Sequence, residues 1–395
     1  MKATNSRHGD IFNTIIMNFE SQIFQPENQE NKVEERVENA KKLFDAFLGL
    51  GEGQRVLFLT DTKKFNTDRE LIEKLTEAVS QKGEAVELVG NSKLSKKALW
   101  EAVQACDVIW ISWDMDKTNI DFYELADFVK ETGKRMVFSP GVRVDSLEND
   151  GALAESKEDM EHRLERMEHR LQNARGLRVT SSYGTNLQIG LKTGERRWFK
   201  ETGAVEKGGW GNLPGGELFT TPDEEDVNGV LVLPVLQDEV TSDQGVDEFV
   251  WLTIRNGKIA KIDGKKSADT LRAYIEESSK DEVQDPTSVL QCAEIAFGAN
   301  AKARPVVSNP EGTYTDVTHP TTETEKRLGT MHLAFGSSKH GEEGTEGHTE
   351  TESGMHLDFV LPRNGLTVVS YETSEDYRNG TNGKRLIDNG GWNFL

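Results

Sequence analysis

The chain has 395 residues and a net charge of −21, from 68 acidic and 47 basic side chains. A surface this acidic repels phosphate groups, which argues against nucleic acid and anionic lipid as partners. The mean hydropathy is −0.61, and neither a leader nor a membrane-length apolar run is evident, so we expect a cytoplasmic protein with no membrane partner. Cys106 and Cys292 lie in apolar surroundings without a CxxC spacing, which indicates buried free thiols.

The first half of the chain alternates between predicted strands and helices. Residues 1–32 are polar and are expected to form an arm, and the next 18 residues, VEERVENAKKLFDAFLGL, have apolar residues at helical spacing. The strand patterns RVLFLTD, AVELVG, DVIWISW and KRMVFSPG then alternate with amphipathic helices. This order predicts an α/β domain with a largely parallel sheet over residues 33–176. The sequence lacks a GxGxxG or GxxxxGKS/T motif, so it does not support a Rossmann or P-loop nucleotide site.

A charged segment follows this domain. The run ESKEDMEHRLERMEHRLQNAR has opposite charges three and four positions apart, which predicts an exposed helix linking two halves. His162 and His169 are one heptad apart on it, and a solvated face is favoured there over a metal pair. From Leu177 onward, short strand patterns broken by glycine predict a mixed α+β catalytic domain over residues 177–395. Within it, Asn256-Gly257 predicts a two-residue hairpin turn.

Several ionisable residues interrupt apolar runs of the second half. Glu217 follows a glycine loop, Glu294 lies in VLQCAEIAFG, and His332 lies in TMHLAFG. In GMHLDFVLP, His356 and Asp358 occupy positions i and i+2, so on a strand they share one face. Buried charges are costly unless they are paired or bind metal, although each residue alone also fits a hydrogen-bonded core position. Together they predict a site for one or two divalent metal ions that suits hydrolysis.

Four segments, GGWGNLPGGELFTTP, EIAFGAN, ETEKRLGTMHLAFG and SGMHLDF, occur in this order and resemble the aminopeptidase T/aminopeptidase S family of two-metal exopeptidases. The resemblance implies that Glu217 is a metal ligand and that Glu294 bridges the metals. It implies further ligands at His332, His356 and Asp358. The cofactors would be two divalent ions: zinc, cobalt or manganese.

The same resemblance implies an aminopeptidase that cleaves a small peptide or small amide substrate within a homodimer that encloses the site. A metal-bound water would attack the carbonyl carbon, and Glu217 or Glu325 would handle the proton. An exposed charge at a helix start is the alternative for Glu325. The family has a tyrosine seven positions after the ligand histidine, whereas this chain has Lys339. Residues 337–354 are expected to form a loop at the mouth of the site.

Ring-cleaving dioxygenases that act on 2,5-dihydroxypyridine resemble the same scaffold. They hold one iron, with a histidine at the position of Glu294 and no carboxylate at that of Glu217. Because this sequence keeps both glutamates, the two-metal hydrolase is the main prediction, and a mononuclear non-haem iron enzyme is the alternative. A third hypothesis, prompted by Lys339, is a metal-binding protein without turnover.

Overall fold

The structure is a computed structural model, and it describes residues 26–61, 68–90, 95–112, 122–234, 249–282, 285–304, 307–308, 314–316, 321–338, 351–361, 363 and 365–395. Lys339 and most of the predicted loop 337–354 lie outside these residues. In the described part of the chain, none of the helices combines the length and apolar character that crossing a bilayer requires.

The N-terminal half alternates between helices and strands, as predicted. Its helices are α1 (Pro26–Leu48), α2 (Arg69–Val79), α3 (Lys96–Ala105) and α4 (Phe122–Thr132), and its strands are β1 (Arg55–Asp61), β2 (Glu84–Gly90), β3 (Val108–Ile111) and β4 (Arg135–Phe138). Because α1 begins at Pro26, the last seven residues of the predicted arm 1–32 are helical.

The rest of the chain is rich in short strands. It contains the helices α5 (Lys157–Leu171), α6 (Lys266–Asp281), α7 (Thr321–Thr324) and α8 (Ser374–Asn379). Its strands are β5 (Gly176–Thr180), β6 (Asn186–Gly190), β7 (Phe199–Glu201), β8 (Trp210–Asn212), β9 (Glu217–Thr220), β10 (Val227–Leu233), β11 (Val250–Arg255), β12 (Lys258–Asp263), β13 (Cys292–Gly298), β14 (Val307–Ser308), β15 (Tyr314–Asp316), β16 (Met331–Gly336), β17 (His356–Leu361), β18 (Thr367–Tyr371), β19 (Lys384–Asp388) and β20 (Gly391–Trp392).

A parallel sheet with the strand order β2-β1-β3-β4-β8 forms the core of the first half. Residues such as Phe58 and Trp110 face α1 and α2, whereas alternate residues such as Leu59 and Ile109 face α3 and α4. The sheet is therefore covered on both faces, which explains its nearly continuous apolar strands. Its edge strand β8 comes from the second half of the chain, so the predicted boundary at residue 176 stays a prediction.

Two antiparallel sheets form most of the second half. One has the order β12-β11-β10-β6-β5-β18-β19-β20, and the other has the order β17-β16-β13-β9-β7. Together with the parallel sheet, they confirm the predicted fold class of an α/β domain followed by a mixed α+β domain. Cys106 and Cys292 are free and buried, as predicted.

The linking helix is α5, and one of its faces is buried. Met160, Leu164, Met167 and Leu171 recur at helical spacing and lie in the core. The prediction of an exposed helix was therefore wrong for this face, because the apolar residues at every third or fourth position pack in the core while the charged residues between them face solvent. Arg163 joins the helix to its surroundings, since its guanidinium lies 2.9 Å from a carboxylate oxygen of Glu155.

The predicted hairpin turn at Asn256-Gly257 is confirmed. Both residues have positive φ, 48° and 73°, and the flanking residues Arg255 and Lys258 pair. A Cβ atom on Gly257 would lie 1.6 Å from the carbonyl oxygen of Glu224, so glycine is required for space as well as for conformation.

Gly257→Ala is expected to lower the free energy of unfolding by about 2 kcal/mol more than Gly53→Ala does. Gly53 is the matched control, because its φ is also 73° and a Cβ there would meet no atom within 4 Å. Urea denaturation of the two variants measures the difference. Equal losses of unfolding free energy in the two variants would show that the close approach of the added Cβ atom to Glu224 does not destabilise the protein.

Candidate metal centre

The five predicted metal ligands lie on one face of the sheet β17-β16-β13-β9-β7. Residues opposite each other on paired strands share a face of the sheet. Each predicted ligand lies opposite a small residue of β13 or β16 on that face: Glu217 opposite Gly298, Glu294 and Asp358 opposite Ala334, His356 opposite Gly336, and His332 opposite Ala296. Because the partners on β13 and β16 are alanine or glycine, the ionisable side chains stand above a floor of small residues.

The opposite face of the same sheet packs in the hydrophobic core. Leu218, Ile295, Leu333, Leu357 and Phe359 alternate with the ionisable residues and are all at most 1% exposed. Burial of this apolar face fixes the strand register, since a shift by one residue would exchange the two faces. The apolar residues thus determine where the imidazoles and carboxylates point.

The imidazoles and carboxylates converge. His332 Nε2 lies 3.1 Å from Glu294 Oε1, 3.4 Å from Glu217 Oε2 and 3.6 Å from Asp358 Oδ1. His356 Nε2 lies 3.6 Å from Asp358 Oδ1 and 4.0 Å from Glu294 Oε2. Each histidine therefore faces the same two carboxylates.

Among the residues that the structure describes, three overlapping sets of side chains can hold a metal ion, with the ligand atoms of each set within 4.8 Å of one another. The sets are Glu217–Glu294–His332, Glu294–His356–Asp358 and Glu325–His332–Asp358. All six residues named as site candidates from the sequence belong to at least one of them. The predicted metal-binding cluster is therefore compatible with the structure, whereas the count of two ions has no support in it.

Two further observations fit a metal at this cluster. His356 Nδ1 lies 2.8 Å from the carbonyl oxygen of Ser337, and donating a proton there lets Nε2, on the side of the carboxylates, act as the ligand atom. Glu217 Oε2 and Asp358 Oδ1 are buried, and neither accepts a hydrogen bond from the described part of the chain. Buried oxygens of this kind are satisfied by a bound cation.

The carboxylates also shift the pKa values of the imidazoles. Burial alone would lower the pKa of His332, but Glu294, Asp358 and Glu217 outweigh it and raise the pKa to about 9. The pKa of His356 lies well above its usual value, because Asp358 and Glu294 outweigh the effect of burial. Protons on the imidazoles therefore compete with a metal ion for the same cluster.

Glu325 is buried rather than exposed, so the alternative of an exposed charge at a helix start was wrong. It follows α7, in the turn that leads to β16. Burial raises the pKa of this carboxyl group to about 7, and the neighbouring Lys326 limits the rise. Glu325 can therefore hold or release a proton near neutral pH, which fits the role predicted for it.

Two residues at the cluster were not predicted. Lys326 is 3% exposed, and its Nζ atom lies 2.6 Å from Glu217 Oε1 and 3.0 Å from Glu325 Oε1. Glu201 pairs with Glu217 in the sheet, and burial raises its pKa to about 7. The only signal for Lys326 was its place directly after Glu325, within a charged run that is typical of an exposed turn.

Comparison with known proteins identifies the family. The model of the family described as NicX, 2,5-dihydroxypyridine 5,6-dioxygenase, matches residues 59–359. The chain belongs to the 2,5-dihydroxypyridine 5,6-dioxygenase family. A 2,5-dihydroxypyridine 5,6-dioxygenase of Pseudomonas putida is 35% identical over 127 residues, which are 32% of this chain and 36% of the relative. The chain thus aligns with little more than a third of that relative's length.

Two solved structures share the fold of this dioxygenase-family protein. The 2,5-dihydroxypyridine dioxygenase of Pseudomonas putida has a TM-score of 0.60 at 20% identity, covering 90% of this chain and 97% of that one. Aminopeptidase T (AmpT) of Thermus thermophilus has a TM-score of 0.60 at 16% identity, covering 91% and 99%. The predicted resemblance to the aminopeptidase is therefore correct for the scaffold.

The aminopeptidase activity predicted from that resemblance was wrong. Both the family model and the curated relative name a dioxygenase, so the protein is an enzyme of that family and is not assigned as a hydrolase or protease. The physical reason is that the ordered segments build the sheet of a fold that both solved structures share, and a shared fold does not determine the reaction. The prediction of a small peptide or amide substrate depended on that activity, so this substrate is not proposed. The homodimer and the absence of nucleic-acid and membrane partners stay predictions.

Proposed function

We propose that the protein is a mononuclear non-haem iron dioxygenase that opens the ring of a dihydroxylated pyridine. The observation that carries the proposal is the set Glu294, His356 and Asp358, which converges on one face of the scaffold of this family. Imidazole and carboxylate ligands on one side of a metal, with other positions open, are typical of non-haem iron oxygenases. When bound, iron(II) supplies the redox-active centre for the reaction of dioxygen with an electron-rich ring.

The residues around the iron ligands would orient and protect the substrate. The side chain of His356 is 34% exposed, whereas those of Glu294 and His332 are 6% and 1% exposed. The cluster therefore opens towards solvent on the side of β17, and we propose that the substrate enters there. The deeper residues exclude water from the opposite side.

Glu325 is the residue that we propose to take a proton from the substrate. A ring hydroxyl group becomes a better electron donor when it loses its proton, and the acceptor must be partly deprotonated at neutral pH. Burial raises the pKa of Glu325 to about 7, and the residue shares a set with His332 and Asp358. A hydroxyl group bound beside those residues would lie near a carboxyl oxygen of Glu325.

Glu294 and Glu217 are the two positions at which this chain departs from the pattern that the dioxygenase resemblance implies, and that pattern has a histidine at the position of Glu294. Glu294→His is therefore expected to keep iron binding within about tenfold, whereas Glu294→Ala is expected to weaken it about a hundredfold. The physical reason is that imidazole replaces the carboxylate as a ligand, and a methyl group does not. Iron content after equilibrium dialysis measures both variants. Equal iron content in the two would contradict a ligand role for this position.

Oxygen uptake tests the function directly. Protein stripped of metal and reloaded with iron(II) without oxygen is expected to consume about one dioxygen per 2,5-dihydroxypyridine, with loss of the ultraviolet absorption of the ring. Zinc-loaded protein is the control for the metal, and His162→Ala, on the exposed face of α5, is the control for mutation. If iron-loaded protein consumes no oxygen with this or an isomeric dihydroxypyridine, the proposal fails.

A further inference from the structure

We infer that the Lys326 ammonium group supplies the positive charge that a second metal ion would bring to this cluster, so that the carboxylate-rich cluster binds one metal rather than two. The inference rests on the proposed metal site, but it does not depend on which reaction that site catalyses. It explains how a sheet face that carries the ligands of a two-metal centre can belong to an enzyme for which we propose a single metal ion.

The contacts of Lys326 are those of a bound cation. Its Nζ atom lies between two carboxylates, 2.6 Å from Glu217 Oε1 and 3.0 Å from Glu325 Oε1. Its side chain is 4% exposed, so these carboxylates rather than water compensate its charge. An ammonium group held in this way supplies the positive charge that a metal ion would otherwise bring to the same oxygens.

The two carboxylate oxygens of Glu217 consequently face different groups. Its Oε1 atom contacts Lys326, and its Oε2 atom lies 3.4 Å from His332 Nε2, on the side of the other ligands. A metal held by Glu217, Glu294 and His332 would have the ammonium group on the far side of the same carboxylate and would be repelled by it. The set Glu294, His356 and Asp358 includes no residue that Lys326 contacts at ion-pair distance, so a metal is favoured there.

The backbone fixes Lys326 in this place. The carbonyl oxygen of Lys326 accepts a hydrogen bond from the amide of Asn300, and the amide of Leu328 donates to the carbonyl oxygen of Asn300, both at 2.8 Å. A Cβ atom on Gly298 would lie 2.1 Å from the carbonyl oxygen of Arg327, so the turn passes close over β13. The ammonium group is therefore held against Glu217 by the fold and not only by its charge.

Metal stoichiometry tests the inference. Metal-free protein dialysed against excess Mn²⁺ is expected to bind one ion per chain, whereas Lys326→Met, which removes the charge but keeps an unbranched side chain, is expected to bind two. Lys326→Arg keeps a positive charge and is expected to bind one. Lys384→Met, at a largely exposed lysine, is the control for the loss of a surface charge and is also expected to bind one.

A second measurement uses the unchanged protein, so that the test survives if Lys326→Met does not fold. Two adjacent Mn²⁺ ions are magnetically coupled, whereas a single ion gives an isolated six-line spectrum in electron paramagnetic resonance. We expect the six-line spectrum from protein that has been saturated with Mn²⁺ and then separated from unbound Mn²⁺ by gel filtration. A coupled spectrum, two ions in the unchanged protein, or one ion in a folded Lys326→Met variant would overturn the inference and leave the dioxygenase proposal standing. If the unchanged protein binds neither Mn²⁺ nor iron(II), both proposals fail.

Discussion

Asp358→Asn is expected to abolish iron binding and, with it, oxygen consumption. Asp358 Oδ1 lies 3.6 Å from the Nε2 atoms of both His332 and His356, so this carboxylate, like that of Glu294, neighbours both imidazoles. The amide has nearly the same shape but lacks the charge that favours a divalent ion. We expect affinity to fall by at least about a hundredfold, because even residues that only support a ligand contribute ten- to a hundredfold.

Iron content and thermal unfolding measure this loss. A ligand present at a hundred times its dissociation constant stabilises a folded protein by about 2.7 kcal/mol, so iron(II) is expected to raise the melting temperature of the unchanged protein and not that of Asp358→Asn. Asp150→Asn is the matched control, since the side chain of Asp150 is 87% exposed. A variant at Asp358 that retains a full complement of iron would remove this residue from the ligand set.

Asn300→Ala is expected to lower the free energy of unfolding by about 4 kcal/mol, or about 1 kcal/mol for each of four hydrogen bonds. Asn300 is fully buried, and its Nδ2 atom donates to the carbonyl oxygens of Ala152 and Gly215, both at 3.0 Å. Its Oδ1 atom accepts from the amides of Lys302 and Ala303. Alanine would remove this partner from all four backbone groups, of which the amide of Lys302 keeps a carboxylate oxygen of Glu155 at 3.1 Å.

Asn393→Ala is the control for this substitution, because Asn393 is exposed and its side chain donates a single hydrogen bond, to the carbonyl oxygen of Arg385. Urea denaturation is expected to show a change within about 0.5 kcal/mol for that variant. Asn300→Ala is also expected to weaken metal binding, since Gly215 leads directly into β9 and Glu217. A loss of stability no larger than that of Asn393→Ala would contradict the role given to Asn300.

The fold was predictable where apolar periodicity is strong. In GMHLDFVLP the alternation predicted a strand with His356 and Asp358 on one face, and β17 buries Leu357, Phe359 and Leu361 on the other. The apolar periodicity of the first half is equally strong, so its alternating strands and helices predicted the parallel sheet. The extra edge strand β8 was not predictable, because a three-residue strand has too few residues to show a period.

The candidate site was predictable as a set of ligands but not as a reaction. Glu217, Glu294 and His332 interrupt buried strands, and the structure brings them together. Which metal they bind, and how many ions, depends on charges that sequence spacing does not reveal. Lys326 illustrates this, since it lies in a polar segment and becomes buried only through contacts between distant parts of the chain.

The strand β8 has a consequence for how this protein can vary in evolution. It pairs with β4 through Met136 and Trp210, although more than seventy residues separate them along the chain. A chimaera that exchanged everything after residue 176 for an unrelated domain would remove β8 and leave the hydrogen-bonding groups of β4 open to association with other chains. We therefore expect the two halves to be inherited together, because the second half carries an edge strand of the first half's sheet.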